Sequence, residues 1–299
     1  MSSRIAVVGS INQDSFVYVD AFPEAGATIL ANDGATGLGG KGANQAIAAA
    51  LLGARVSFVG AVGADAAGSG ALVALAADGV AVEQIQTRDD ATTGAAYITV
   101  NTAGENTIIV HSGANARVAA SDVEAALAAL PALSLVLAQG ELPADAIDAA
   151  ARWAAAAGVR FVLNLAPVIA VDPQTLSLAD PLIVNEGEAA ELLGHSSDDL
   201  AGELAARLGT AVVVTLGAAG AAVAAGQSGW TEPSPKPDRV VDTTGAGDAF
   251  VGALAAALAA GHELAFAVRV GVAAGSHAVQ SAGTTTSYAR ETTLEALAG

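Results

Sequence analysis

Six short apolar runs, each ending in a turn residue, alternate along this chain with alanine-rich segments. No other feature of the sequence restricts its fold as much. The runs are "RIAVVGS", "RVSFVGAVG", "LSLVLAQGE", "VRFVLNLAP", "PLIVNEGE" and "TAVVVTLG". Between most of them lie stretches such as "GANQAIAAALLGA", "SGALVALAADG", "ADAIDAAARWAAAAG" and "SDDLAGELAARLG", whose apolar residues recur at helical spacing. Strands alternating with helices give βαβ units, so the expected fold is α/β with a mainly parallel central sheet covered on both faces. Ligands in such sheets bind beyond the carboxyl ends of the strands.

Two segments break the pattern. "DSFVYVDAFPEAGATILANDGATG" and "TTGAAYITVNTAGENTIIVHSGAN" alternate apolar and polar residues around turn signals at Pro23 to Gly26 and Ala103-Gly104. They predict half-exposed antiparallel hairpins. We expect one domain spanning 1–299 with a small β lid formed by about 12–37 and 93–111. Val17, Val19, Ile98 and Val100 are expected to share one apolar face of that lid, which pairing with a second copy would bury.

Composition removes several classes of function. Thirty acidic against twelve basic residues leave a formal charge of −18, which disfavours nucleic acid or an anionic membrane as partner. With no cysteine and four scattered histidines (His111, His195, His262, His277), neither disulfides nor a zinc motif is expected. The mean hydropathy of +0.52 comes mostly from alanine, and the apolar stretches break well before about 20 residues accumulate. In the longest, "AFVGALAAALAAGHELAFAVRVGVAAGSHAV", Gly261-His262-Glu263 separates two expected helices. The start, "MSSRIAVVGSINQD", carries no signal-peptide pattern, and a cytoplasmic location is expected.

"DTTGAGDAF" places Asp248 directly after Gly245-Ala246-Gly247, at the mouth of the apolar segment "AFVGALAAALAAG". A glycine turn entering a helix aims backbone N–H groups at one point and favours a phosphate oxygen. An aspartate beside it would accept a proton from an alcohol while the turn receives a transferring phosphoryl group. The plainer reading is a helix cap, but a cap alone does not call for two flanking glycines. "GGKGANQA" is a second glycine turn, with Gly39, Gly40, Lys41 and Asn44, and by itself reads rather as a tight loop before a helix. It is not a P-loop, because Ala35 and Gly42 stand where a glycine and a Ser/Thr are required, and "GAGDAF" lacks the third glycine of a dinucleotide fingerprint. Asn12 and Asp14 in "GSINQD" are expected at the carboxyl end of the first strand, alternating onto one face. Asn185 and Glu188 in "NEGE" read either as a site or as a cap. Thr215, Gly217 and Gly220 in "VVTLGAAGA" read as a nucleotide bed or a hairpin turn.

"GGKGANQA" and "DTTGAGDAF", in that order with "NEGE" between them, resemble the two signatures of the PfkB family of carbohydrate kinases over nearly the whole chain. "GSINQD", "VNTAGENTIIVHSGAN" and "QGELP" are more similar to its ribose-phosphorylating branch than to its fructose or adenosine branches. The resemblance implies a three-layer fold and ATP-dependent phosphorylation of D-ribose at its 5-hydroxyl. It further implies Asp248 as the base and Gly245, Ala246 and Gly247 as the anion hole. Sugar contacts would fall to Asn12, Asp14, Gly39, Gly40, Lys41, Asn44, Glu141 and Asp248. Nucleotide contacts would fall to Asn185, Thr215, Gly217, Gly220, Gly247 and Val272. Mg²⁺ would be organised by Glu188. An activating K⁺ would lie among Asp242, Thr244, Ala278, Ser281, Gly283 and Ser287. It implies, too, a homodimer formed through the lid.

Two departures bear on these expectations. "GTTTS", Gly283 to Ser287, replaces the Gly-Ala-Gln-Pro-Ser-like run of many relatives beside the cation loop, and Gly140 before Glu141 is expected to loosen that wall of the sugar pocket. A related kinase for fructose, another sugar or a nucleoside is the alternative within the family. A non-catalytic sugar sensor is the alternative outside it.

Overall fold

The computed structural model describes residues 3–299. In chain order the strands are β1 (Arg4–Val8), β2 (Asn12–Val19), β3 (Asp33–Gly39), β4 (Arg55–Gly63), β5 (Ala81–Arg88), β6 (Gly94–Asn101), β7 (Asn106–His111), β8 (Leu135–Gln139), β9 (Arg160–Asn164), β10 (Leu182–Asn185), β11 (Val212–Thr215), β12 (Ala221–Ala225) and β13 (Ser228–Glu232). The helices are α1 (Lys41–Leu51), α2 (Ala66–Ala77), α3 (Ala120–Ala129), α4 (Ala144–Ala157), α5 (Pro173–Leu178), α6 (Glu186–Leu193), α7 (Leu200–Leu208), α8 (Ala246–Ala259), α9 (Leu264–Ala278) and α10 (Leu294–Ala298).

Nine strands form the main sheet in the order β13-β12-β11-β10-β9-β8-β1-β4-β5. Every pairing from β11 to β5 is parallel, and the β11-β12-β13 edge is antiparallel. Because successive side chains point to opposite faces, Ile5 and Val7 of β1 enter one core while Ala6 and Val8 enter the other. The first core is closed by α1, α2, α8, α9 and α10, the second by α3, α4, α6 and α7. Both faces are covered, which is why these strands read as nearly continuous apolar runs.

Helix α8 is buried along nearly its whole length, from Asp248 to Ala259, between α1 and α9. Such a helix is apolar all round rather than amphipathic. Its approach to α1 depends on Gly252, where a Cβ would stand 2.5 Å from both the Ala48 Cβ and the Gln45 carbonyl oxygen. That contact fixes Asn44 and Gln45 opposite the first turn of α8. Gly261, at a φ of 95°, ends α8 before α9 begins. Among the described residues, no helix is long and apolar enough to cross a membrane.

The second sheet has four strands in the order β3-β2-β6-β7. Its two hairpins, β2-β3 and β6-β7, are antiparallel and joined by a parallel β2-β6 pairing. That pairing corrects two expectations. Asn12 and Asp14 do not end the first strand of the main sheet, because β1 stops at Val8, and they open β2 of the smaller sheet instead. The register sets Phe16 beside Ile98 and Val17 beside Thr99. Partners across a ladder share a face, so Val17 and Val19 lie on the face opposite to Ile98 and Val100.

Candidate active site

The carboxyl ends of β9, β10 and β11 meet the N-termini of α1 and α8 around a cavity of about 140 Å³. Its lining includes Lys41, Asn164, Asn185, Glu188, Thr215, Gly245, Gly247 and Asp248. Gly245 caps α8 in the left-handed region, at φ 77°, where any other residue would be strained, and no side chain caps the helix. A helix leaves its first N–H groups without intrahelical partners. Here the N–H of Ala246 turns to the Thr243 carbonyl at 3.3 Å. Of the expected Gly245-Ala246-Gly247 trio, the Ala246 amide is therefore already engaged, and those of Gly247 and Asp248 complete the open turn.

Asp248 is the third residue of α8, and its carboxylate is buried. Its Oδ2 accepts from Asn44 Nδ2 at 3.0 Å and its Oδ1 from Gln45 Nε2 at 2.9 Å. Gln45 Nε2 also donates to Asn164 Oδ1 at 2.9 Å, Asn164 Nδ2 donates to the Ile183 carbonyl at 3.1 Å, and Gln139 Nε2 donates to Gln45 Oε1 at 2.9 Å. Asn44 is among the residues expected from sequence, whereas Gln45, Gln139 and Asn164 are not. The available signal was a second amide beside Asn44 in an otherwise alanine-rich helix.

A second group of polar residues lies where β2 and the start of α1 meet the loop after β8. Glu141 Oε2 accepts from Ser10 Oγ at 2.5 Å and from the Lys41 N–H at 3.0 Å, joining the β1-β2 loop to α1. Asn12 Oδ1 accepts from Asn115 Nδ2 at 2.8 Å. Asp14 packs against Gly39, at a spot a Cβ would fill, and its Oδ1 is buried without a partner. Burial, reinforced by the nearby Glu141 and Asp248 charges, pushes the Asp14 carboxyl up from 3.8 to about 7. Lys41 lies among carboxylates: Asp248 foremost holds its ammonium above the ordinary range against the cost of burial, with Glu141 and Glu188 adding to the effect. Gly140 does not loosen this wall. A Cβ there would collide with the Pro167 carbonyl, so glycine is what lets the loop close.

On the cavity's other side, Asn185 and Glu188 form a reciprocal cap of α6: Asn185 N donates to Glu188 Oε2 and Glu188 N to Asn185 Oδ1, both at 2.8 Å. Both residues still line the cavity. Burial pushes the Glu188 carboxyl up, opposed by the Asn185 N–H and by Lys41. Thr215 lines the cavity, while Gly217 and Gly220 belong to the turn between β11 and β12. Val272 does not reach it, being packed in the core from α9.

Behind α8's first turn, Asp242 Oδ1 accepts from the Thr244 N–H at 2.9 Å and Oδ2 from the Gly283 N–H at 3.0 Å. The segment before α8 is thereby tied to the C-terminal loop. Ala278 ends α9 with its carbonyl accepting from Ser281 N at 3.4 Å, and Ser287 Oγ donates to the Thr284 carbonyl. Tyr288, from the same loop, places a buried hydroxyl without a partner beneath Gly245.

A model described as "pfkB family carbohydrate kinase" matches residues 2–291. The chain is 35% identical to a ribokinase of Haemophilus influenzae, over 99% of each chain, and 36% identical to a ribokinase of Bacillus subtilis, over 94% of each. It superposes on the structure of Arabidopsis thaliana ribokinase complexed with ribose and ATP with a TM-score of 0.90 at 30% identity, covering 100% of this chain and 99% of that one.

Proposed function

The chain belongs to the pfkB family of carbohydrate kinases, and on that premise we propose that it transfers the γ-phosphoryl group of ATP to the 5-hydroxyl of D-ribose. One observation supports the reading above the others: Asp248 is held by two amides at the open N-terminus of α8, between a cavity and a cluster of sugar-sized polar groups. Ribose lies among Asn12, Asp14, Gly39, Gly40, Lys41, Asn44 and Glu141. The nucleotide enters from the side of Asn185 and Thr215.

Asp248 takes the proton of the sugar hydroxyl as its oxygen attacks the γ-phosphorus, and ADP leaves in line on the opposite side. The first-turn N–H groups of α8 receive the charge that develops on the phosphoryl oxygens, and the Lys41 ammonium adds to it. Glu188, half-buried and directed to the cavity, would hold Mg²⁺ through water. A single carboxylate suits this ion, which keeps several waters and takes its other ligands from phosphate. Held there, Mg²⁺ would supply positive charge against the phosphates. Asp242 and the carbonyls of Thr244, Ala278, Ser281, Gly283 and Ser287 would hold K⁺ behind the anion hole.

The β2-β3-β6-β7 sheet serves as a lid over the sugar, and two lids pair in a homodimer. The need for ATP goes with a cytoplasmic reaction. Coupled ADP release over a panel of sugars and nucleosides tests the assignment. D-ribose should give the highest kcat/KM, because an analogue lacking a matched hydroxyl leaves buried groups unpaired at about 1–3 kcal/mol each. Preference for fructose or adenosine would move the assignment within the family, and no ADP release with any of them would make the protein a sensor.

A further inference from the structure

Gln45 touches neither proposed substrate pocket through its own polar atoms, yet it is a fully buried amide with every hydrogen bond directed at a polar side chain. We infer that Gln45 is the positioning residue for the catalytic carboxylate, setting the orientation and ionisation of Asp248. The inference rests on the assignment of Asp248 as base.

An amide's two ends are distinguished by its partners. At the far end of this chain of bonds the partner is a backbone carbonyl, which accepts and never donates. Asn164 must therefore turn Nδ2 to Ile183 and Oδ1 to Gln45. Gln45 must in turn present Nε2 to Asn164, and the second hydrogen of that nitrogen falls on Asp248 Oδ1. Gln139 holds the other end by donating to Oε1. A fixed acceptor on β10 thus dictates a donor at the base.

Two consequences follow for the proton. Asp248 Oδ1 and Oδ2 each accept one N–H, from Gln45 and Asn44, so the proton taken from the sugar occupies a remaining lone pair. Hydrogen bonds donated to a carboxylate favour its charged form in general, and Lys41, Asp14 and Glu141 are the other charged groups that face this one. Without Gln45 the carboxylate would hold a proton more readily and turn more freely.

The test is the pH dependence of kcat for Gln45→Met, which keeps an unbranched side chain of similar length and removes the donor. The acid limb should move up by about one pH unit, as loss of a charge-assisted bond implies. At pH 7 kcat should fall at least about tenfold, while KM for ribose and for ATP stays within a few fold. Gln139→Leu, remote from Asp248 but freeing the Gln45 amide, should shift the limb in the same direction by less, and it supplies the test if Gln45→Met does not fold. Asp248→Asn run in parallel separates the two ideas. If that variant keeps its turnover, the reading of Asp248 as base fails. If it loses turnover while the variant at Gln45, or Gln139→Leu in its place, keeps a wild-type acid limb, the positioning role fails. A rise in KM with unchanged kcat and pH profile would equally overturn it, marking a purely structural amide.

Discussion

The carboxylate of Asp14 occupies the space where any side chain on Gly39 would stand. The two residues face each other diagonally across the β2-β3 ladder, in which Asn12 pairs with Gly39 and Asp14 with Gly37. Gly39→Ala should therefore displace Asp14 from the sugar pocket without touching the cavity under β10. KM for ribose should rise at least about tenfold, the scale of one lost charge-assisted hydrogen bond, with KM for ATP nearly unchanged. Steady-state kinetics with each substrate varied in turn measures this, and an unaltered ribose KM would remove Asp14 from the pocket.

Asp14 also makes the stability of the sugar-free protein depend on pH. Its carboxyl is pushed up to about 7 in the fold, above its ordinary 3.8, chiefly by burial. Between those values the folded chain holds a proton that the unfolded chain has released, so the contribution is full at low pH and lost as pH rises through about 7. Across that window the melting temperature of wild type should fall relative to Asp14→Asn, other groups being common to both. Ribose hydroxyls that donate to the carboxylate favour its charged form, so ribose binding near pH 7 should release protons. Calorimetry in buffers of different ionisation enthalpy detects the release, and Asp14→Asn should abolish it.

The residues legible in the sequence are those whose chemistry is local. The glycine turn at Gly245, the aspartate after it and the polar residues Asn185 and Thr215 that end β10 and β11 follow from spacing alone. The β2-β6 pairing could not be read so, because the register of a parallel pair depends on contacts between segments some 80 positions apart, and one step of register moves every side chain to the other face. Gln45, Gln139 and Asn164 escaped for a similar reason. An amide in a helix or strand is unremarkable until folding brings it within 3 Å of others, and here the bonds span 94 to 203 positions. The role of Gly140 is equally hidden in the sequence, because the neighbour it accommodates, the Pro167 carbonyl, belongs to a different loop.

Replacing Asp248 with asparagine should reduce turnover at least about 100-fold, the usual scale for loss of a general base, with sugar and nucleotide affinity within a few fold. It has a structural cost as well. Asn44 and Gln45 both donate to this side chain, so the new NH₂ group must face one of them, donor against donor. Differential scanning calorimetry should show a lower melting temperature than wild type. Nearly normal turnover would refute the catalytic role.

The face of the second sheet that carries Phe16 and Ile98 also carries Ile108 and Val110, by the register of β6 with β7. Ile108 and Val110 are exposed. Pairing two lids through this face would remove them from water, at about 25 cal/mol per Å². Light scattering at micromolar concentration should give twice the 28.9 kDa chain mass, and the double substitution Ile108→Lys and Val110→Lys should give the monomer. A wild-type monomer would count against the dimer.

Potassium activation is the sharpest test of the loop behind the anion hole. Asp242 spends one lone pair of each oxygen on the N–H groups of Thr244 and Gly283, which outweigh burial and hold its carboxyl below the ordinary range, so it is charged at neutral pH. That geometry alone is an Asx turn plus a tether, and it supplies a formal negative charge between two loops rich in backbone carbonyls. A monovalent cation there would be held mostly by carbonyl oxygens, so the threonines at 284, 285 and 286 do not remove the site by their side chains. Fixing these loops fixes Gly245, because the segment leads directly into α8. The effect should therefore appear in the transition state, raising kcat at saturating ribose and ATP more than it lowers either KM. After dialysis to strip bound cation, activity in potassium chloride should exceed that in sodium or Tris chloride at equal ionic strength, which keeps screening constant. Asp242→Asn should shrink the difference, since the amide gives up the charge and must also turn its NH₂ toward one of the two backbone N–H groups, releasing that tether. Equal turnover in all three salts would mean that the Thr244 and Gly283 bonds hold the turn without a cation.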